Sequence, residues 1–138
     1  MTEDLLIPEG YKHYGGGVPA EDNIGPFFYR KQAEGLFLGM RAAEKHANGR
    51  GSVHGGVLLC YADYAASMLA LSGVSEHCVT VSLNSDFIAP ARIGDWIEGA
   101  GDVVSRTRTL TFVRGELSVA GQVVLSFQSV LRRLPKPS

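Results

Sequence analysis

The chain has 138 residues, with 13 Lys and Arg against 14 Asp and Glu, a formal net charge of −1 and 45% hydrophobic residues. That length fits one domain able to bury roughly 68–70% of its unfolded surface. A near-neutral balance with no basic block argues against nucleic acid or an anionic membrane as the main partner.

The N-terminus, M-T-E-D-L-L-I-P-E-G, lacks the basic and long apolar regions of a secretory signal, so a cytoplasmic location is expected. Residues 1–26 carry Gly15-Gly16-Gly17 and three prolines and read as a loosely structured arm with room for a short helix. From Phe27 the pattern changes, and residues 27–138 form the expected folded domain. F-F-Y-R-K-Q and G-L-F-L-G-M-R-A, joined through Gly35, predict a hairpin. K-H-A-N-G-R-G-S is a loop. A helix follows from about residue 55 to 72, with Gly73 placed to end it at C′. Residues 57–71 are almost wholly apolar apart from Asp63, yet short of the ~18–20 residues a membrane span needs.

The remainder is β-like. Residues 77–87 alternate, which predicts Val79, Val81, Leu83 and Phe87 on one face. A-P-A-R-I-G-D is a turn, and the runs 96–105, 108–119 and 122–133 are three further strands. Two strands, one helix and four strands predict an α+β architecture, one long helix against a largely antiparallel sheet. The helix is apolar nearly all round, so one sheet face cannot cover it and a second subunit is expected on the other side.

The most informative stretch is N-G-R-G-S-V-H-G-G, residues 48–56. Two glycines after a histidine let the backbone approach a ligand closely. The first N–H groups of a helix lack partners within it and carry the positive end of its dipole, which suits an oxyanion. Downstream, Asp63 supplies a carboxylate in apolar surroundings. An oxyanion site and a buried acid are two parts of acyl-transfer machinery. Structural roles stand beside these. Asp63 can pair with Ser67 one turn on, His54 can hydrogen-bond its loop, and Asn48-Gly49 is an ordinary turn pair. Cys60 and Cys78 have no zinc or redox spacing, and Cys60 reads as a small core residue. His46 and His54 lack a carboxylate at metal spacing, so no metal site is expected.

Taken together, Asn48, His54-Gly55-Gly56, Asp63 nine residues after the histidine, and T-V-S-L-N-S-D-F-I-A-P-A-R-I-G-D at 80–95 resemble the hotdog-fold acyl-CoA thioesterases, particularly the phenylacetate-degradation (PaaI-like) type. The similarity covers roughly residues 27–133; Thr107-Arg108 stand where the family often has a glycine. The resemblance implies a curved antiparallel sheet wrapped around a central helix. It also implies hydrolysis of acyl-CoA to a free acid and coenzyme A, with no cofactor beyond the coenzyme A of the substrate. By the same likeness, Asn48 holds the carbonyl or the attacking water and Thr80 stands where relatives orient that water. The N–H of Gly55, with or without Gly56, would bind the thioester oxygen. Asp63 would be general base, or nucleophile through a mixed anhydride. Thr80 alternates away from Val79, Val81 and Leu83, so it can reach the helix only if a bulge re-aims it. Arg92, Arg106 and Arg108 are either contacts for coenzyme A phosphates or solvated surface.

Gly55 and Asp63 are eight residues apart, ~12 Å along one helix. Two antiparallel helices about a two-fold axis would bring Gly55 of one chain towards Asp63 of the other. A homo-oligomer, dimer or dimer of dimers, with sites built from both chains is therefore expected. Trp96, Phe112, Phe127 and Met68 are candidates to shape the acyl pocket. Two rivals remain: a hotdog enoyl-thioester hydratase, lacking here the D-x-x-x-x-H arrangement it needs, and a non-catalytic acyl-CoA-binding protein, lacking a basic DNA-binding domain.

Overall fold

The computed structural model describes residues 6–13 and 17–136; Gly15 and Gly16 of the predicted arm lie outside the described residues. The elements in chain order are β1 (Lys12–His13), α1 (Pro19–Ile24), β2 (Phe28–Gln32), β3 (Gly35–Arg41), a 3₁₀ turn (Glu44–His46), α2 (Gly55–Leu71), β4 (Glu76–Phe87), β5 (Trp96–Arg106), β6 (Leu110–Val119) and β7 (Gln122–Pro135). The seven strands form one antiparallel sheet in the order β1-β2-β3-β5-β6-β7-β4. The fold is the expected α+β hotdog arrangement, a sheet wrapped on one long helix.

Alternation explains why the sheet holds α2. Leu38 and Met40 of β3, Ile97 of β5, Leu117 of β6, and Leu125 and Leu131 of β7 are completely buried. They share that core with Tyr61, Ala62, Ala65 and Ala66 of α2. The alanines let the helix lie close to the strands. Tyr61 is fully buried there, and its hydroxyl donates to the Ile97 carbonyl at 2.7 Å. A buried hydroxyl without such a partner would be destabilising.

Both ends of α2 are fixed by named groups. His54 caps the N-terminus. At the other end, Gly73 adopts φ +80°, the left-handed conformation that favours glycine just past a helix. The Arg106 guanidinium donates to the carbonyls of Ala70 at 2.8 Å and Ser72 at 3.2 Å, placing a cation on the negative end of the dipole.

Two expectations are corrected. Val79, Val81, Leu83 and Phe87 do not share a face. The register with β7 shifts between Thr80 and Ser82, so one extra residue is inserted there. A bulge reverses the side on which later residues point. Val79 and Val81 therefore point away from the core, 49% and 61% exposed, while Leu83 packs against it. The arm is also more structured than its composition implied. It supplies β1, paired to β2, and α1, which packs near α2. Tyr11 anchors it: its ring meets Trp96 edge-on at 5.0 Å and its hydroxyl donates to Glu98 at 2.9 Å. Burial and the neighbouring Glu98 push the Tyr11 phenol up to about 12. Trp96 in turn lies over Gly39, where an added Cβ would fall 1.9 Å from the indole.

Candidate active site

The loop before α2 is held by Asn48. Its Oδ1 accepts from the N–H groups of Arg50 (2.8 Å) and Ser52 (3.2 Å), and its Nδ2 donates to Ser52 Oγ at 2.9 Å. An Asn side chain bonding forward to its own backbone builds a tight turn. The loop is tied to the 89–95 turn by a bridge between Ser52 and Arg92, and the Arg92 N–H donates to Asp95 at 2.8 Å. Asn48 and Arg92 therefore meet at the N-terminal end of α2.

His54 Nδ1 accepts from the Gly56 N–H at 2.8 Å. A ring nitrogen that accepts carries no proton, so the ring is protonated at Nε2 in this arrangement. The bond satisfies the Gly56 donor. It leaves the Gly55 N–H, which has no acceptor among the described residues. Of the two glycine donors predicted for an oxyanion, Gly55 alone is free. An added Cβ at Gly55 would lie 3.2 and 3.3 Å from two carbons of the Phe87 ring. That ring, 56% exposed, forms a wall beside the free N–H.

Asp63 lies two turns along the same helix, part-exposed, and Thr80 Oγ1 donates to its Oδ1 at 2.6 Å. The bulge just after Thr80 reconciles this contact with the strand alternation. Cys78, two residues before Thr80, also packs against the core, and Asp63 is bonded to Thr80 and not to Ser67 one turn on. Burial and the charges of Asp63 and Glu21 push the Cys60 thiol up, which keeps it protonated and unsuited to attack. His46 is buried, with Nδ1 accepting from the Ala43 N–H and Nε2 donating to the Ile24 carbonyl, so both ring nitrogens are used structurally. Among the described residues no cluster of His, Cys, Asp and Glu has metal-binding geometry.

The predicted arginines separate. Arg92 sits at the N-terminal end of α2. Arg106 is committed to the helix C-terminal carbonyls, which corrects its reading as a phosphate ligand: the last carbonyls of a helix need donors, and a guanidinium supplies them. Arg108 is exposed in the turn between β5 and β6. The pocket candidates also divide. Phe127 is core, Trp96 lies under the arm, and Phe112 alternates with the buried Thr111 and Val113. Met68 does line a cavity of about 370 Å³ between α1 and α2, together with Glu21, Phe27 and Tyr64. A larger hollow of about 800 Å³ over the strands includes no residue of α2. Sequence reasoning missed Glu21 and Tyr64: one lay in the unassigned arm, the other inside an apolar helical run.

The thioesterase superfamily model matches residues 50–126, which contain the loop end, α2, Asp63 and Thr80. The chain belongs to the thioesterase superfamily. A Pseudomonas aeruginosa protein named as an esterase is 34% identical over 129 residues, covering 91% of this chain and 96% of that protein. Acyl-coenzyme A thioesterase 13 of Mus musculus is 29% identical over 86 residues, 62% of this chain and 61% of the relative. Among solved structures, a Ralstonia eutropha JMP134 protein described as a thioesterase related to phenylacetic acid degradation is 28% identical, with TM-score 0.75 over 85% of this chain and 92% of that one.

Proposed function

We propose that the protein hydrolyses acyl-CoA thioesters at a site shared between two copies of the chain. The observation that carries this reading is the free Gly55 N–H at the head of α2, beside a Gly56 N–H already capped by His54. A backbone donor fixed at a helix N-terminus stabilises the charge that develops on a thioester oxygen without needing to reorganise. The acyl-coenzyme A thioesterase relatives supply the substrate class.

Asp63 of the partner chain faces that carbonyl in this reading. As general base it takes a proton from water while the water oxygen attacks the carbonyl carbon. The tetrahedral intermediate then collapses, the C–S bond breaks, and coenzyme A leaves as thiol once protonated. As nucleophile, a carboxylate oxygen attacks instead, coenzyme A departs, and water hydrolyses the mixed anhydride. Thr80 holds one carboxylate oxygen and leaves the other for this work. His54, bound through Nδ1 to its own helix, positions the loop. Arg92 meets the phosphates of coenzyme A near the loop.

Two features support a dimer. β4 is the sheet edge, twelve residues long, and exposes Val79 and Val81. A long apolar edge strand is stable in solution when something pairs with it or covers it. The ~12 Å between Gly55 and Asp63 on one helix also separates the two functions within a chain. The test is subunit exchange between Asp63→Asn and Gly55→Ala chains. Each alone is expected to be nearly inactive. A heterodimer holds one doubly damaged site and one intact site, so activity should return to about half of the sites. A dead mixture, with exchange shown by mass spectrometry, refutes the shared site.

A further inference from the structure

The cavity between α1 and α2 is not explained by packing. At about 370 Å³ it falls at the lower end of small-molecule pockets, large enough for an acyl group and too small for a whole acyl-CoA. Its walls are Phe27, Tyr64 and Met68 on the inside and Val18 and Glu21 of the arm on the outside. Phe27 stacks on Tyr64 with ring centroids 4.7 Å apart, which fixes the phenol in place. Tyr64 is 6% exposed, yet its hydroxyl has no hydrogen-bond partner among the described residues. A buried hydroxyl without a partner is destabilising, so one is normally kept only where something satisfies it.

On α2, Asp63 immediately precedes Tyr64, a wall residue of the cavity. Glu21 lies on its wall and is close enough to feel the Asp63 charge, which together with burial and Asp22 pushes the Glu21 carboxyl up. A thioester whose carbonyl stands at Asp63 has a cavity walled by Tyr64 and Met68, one and five residues further along the same helix.

We propose that this cavity is the acyl pocket, contributed by the chain that supplies Asp63 and closed on its outer side by α1. Tyr64 Oη selects an acyl group with an apolar body and one oxygen function. The proposal rests on the thioesterase reading above and names its specificity determinants. The arm sets the depth of the pocket through Val18, and the phenol sets a polar contact on its buried side, with Glu21, Asp22 and Lys31 also on the wall.

The test is thiol release from hexanoyl-, octanoyl- and decanoyl-CoA, each unsubstituted and with a terminal hydroxyl, alongside acetyl-CoA. The parent should prefer the hydroxylated partner at one chain length by about 3–10-fold in kcat/KM, the size expected of one hydrogen bond. Tyr64→Phe keeps the stacked ring and should abolish that preference while leaving acetyl-CoA turnover unchanged. Val18→Trp fills the cavity from an exposed arm position. It should lower kcat/KM for the longest chain at least about 10-fold, again sparing acetyl-CoA. A parent active on these substrates whose chain-length and hydroxyl profile is identical in both variants overturns the pocket and leaves the thioesterase reading standing. A parent inactive on every acyl-CoA overturns both.

Discussion

Gly55→Ala separates the backbone donor from everything around it. The substitution keeps the N–H and the helix, and Gly55 is not in the left-handed region, so the added methyl brings no backbone strain. What it meets is the Phe87 ring, at 3.2 and 3.3 Å from the new Cβ. Those contacts require a shift of a few tenths of an ångström. The ring is 56% exposed and can give. The stability cost should therefore fall below the ~1–3 kcal/mol of overpacking a closed core. At about 1 kcal/mol or less, Tm should fall by no more than about 2–8 °C. Catalysis should suffer far more, because the methyl and the displaced ring occupy the approach to the free N–H. Loss of one oxyanion donor typically lowers kcat about 10²–10³-fold. The measurement is kcat by thiol release, with Tm from thermal unfolding, on Gly55→Ala and on Gly55→Ala/Phe87→Ala. The double variant should regain the lost stability and stay slow. A single variant within threefold of the parent would show that the Gly55 N–H is not the oxyanion donor; a double variant restored to parental kcat would show that the displaced ring, and not the methyl, blocks the approach.

Thr80→Val is nearly isosteric and removes only the donor to Asp63. It should lower kcat about 3–10-fold, the net worth of one ordinary hydrogen bond, with Tm little changed; an unaltered kcat would remove Thr80 from the mechanism. Arg106→Met removes the donor from the C-terminal carbonyls of α2 and should cost about 1–2 kcal/mol of stability in urea unfolding. KM for acyl-CoA should hold, and a raised KM at parental stability would instead return Arg106 to the phosphates. Glu76 pairs with Arg133 at 2.9 Å and ties the start of β4 to β7; that hydrogen-bonded guanidinium holds the Glu76 carboxyl below its ordinary value of 4.5. A carboxyl lowered in the folded state stabilises above its unfolded pKa, and that stability is lost as pH falls through the folded value. Tm of Glu76→Gln should therefore lie below the parent at pH 7, with the gap closing as pH falls below 4.5; a constant difference across that range would refute the assignment.

Period and punctuation made much of the fold legible. The long helix, its glycine stop and the six longer strands followed from runs of apolar residues with period 2 or 3.6, because those periods decide which side chains meet the core. The candidate site was legible only as a set of residue types: Asn48, His54-Gly55-Gly56, Asp63 and Thr80. Asn48 sits in a turn that its side-chain hydrogen bonds favour.

Several decisions belonged to the tertiary structure. Alternation placed Val79, Val81 and Leu83 on one face, and the bulge after Thr80 split them; a bulge depends on how β4 pairs with β7, a partner more than forty residues away. Which of two adjacent glycines keeps a free N–H depended on the rotamer of His54. Arg106 met the end of α2 because β5 passes it, a proximity that no local pattern encodes. The arm read as loose because its glycines and prolines lower local propensity. It is ordered by contacts with Trp96, Glu98 and α2, all distant in sequence. The sequence by itself determined periodic burial and the chemistry available to the site. The tertiary structure decided which donors and carboxylates remain free to act, because hydrogen bonds and close contacts form between residues whose separation along the chain says nothing of their separation in space.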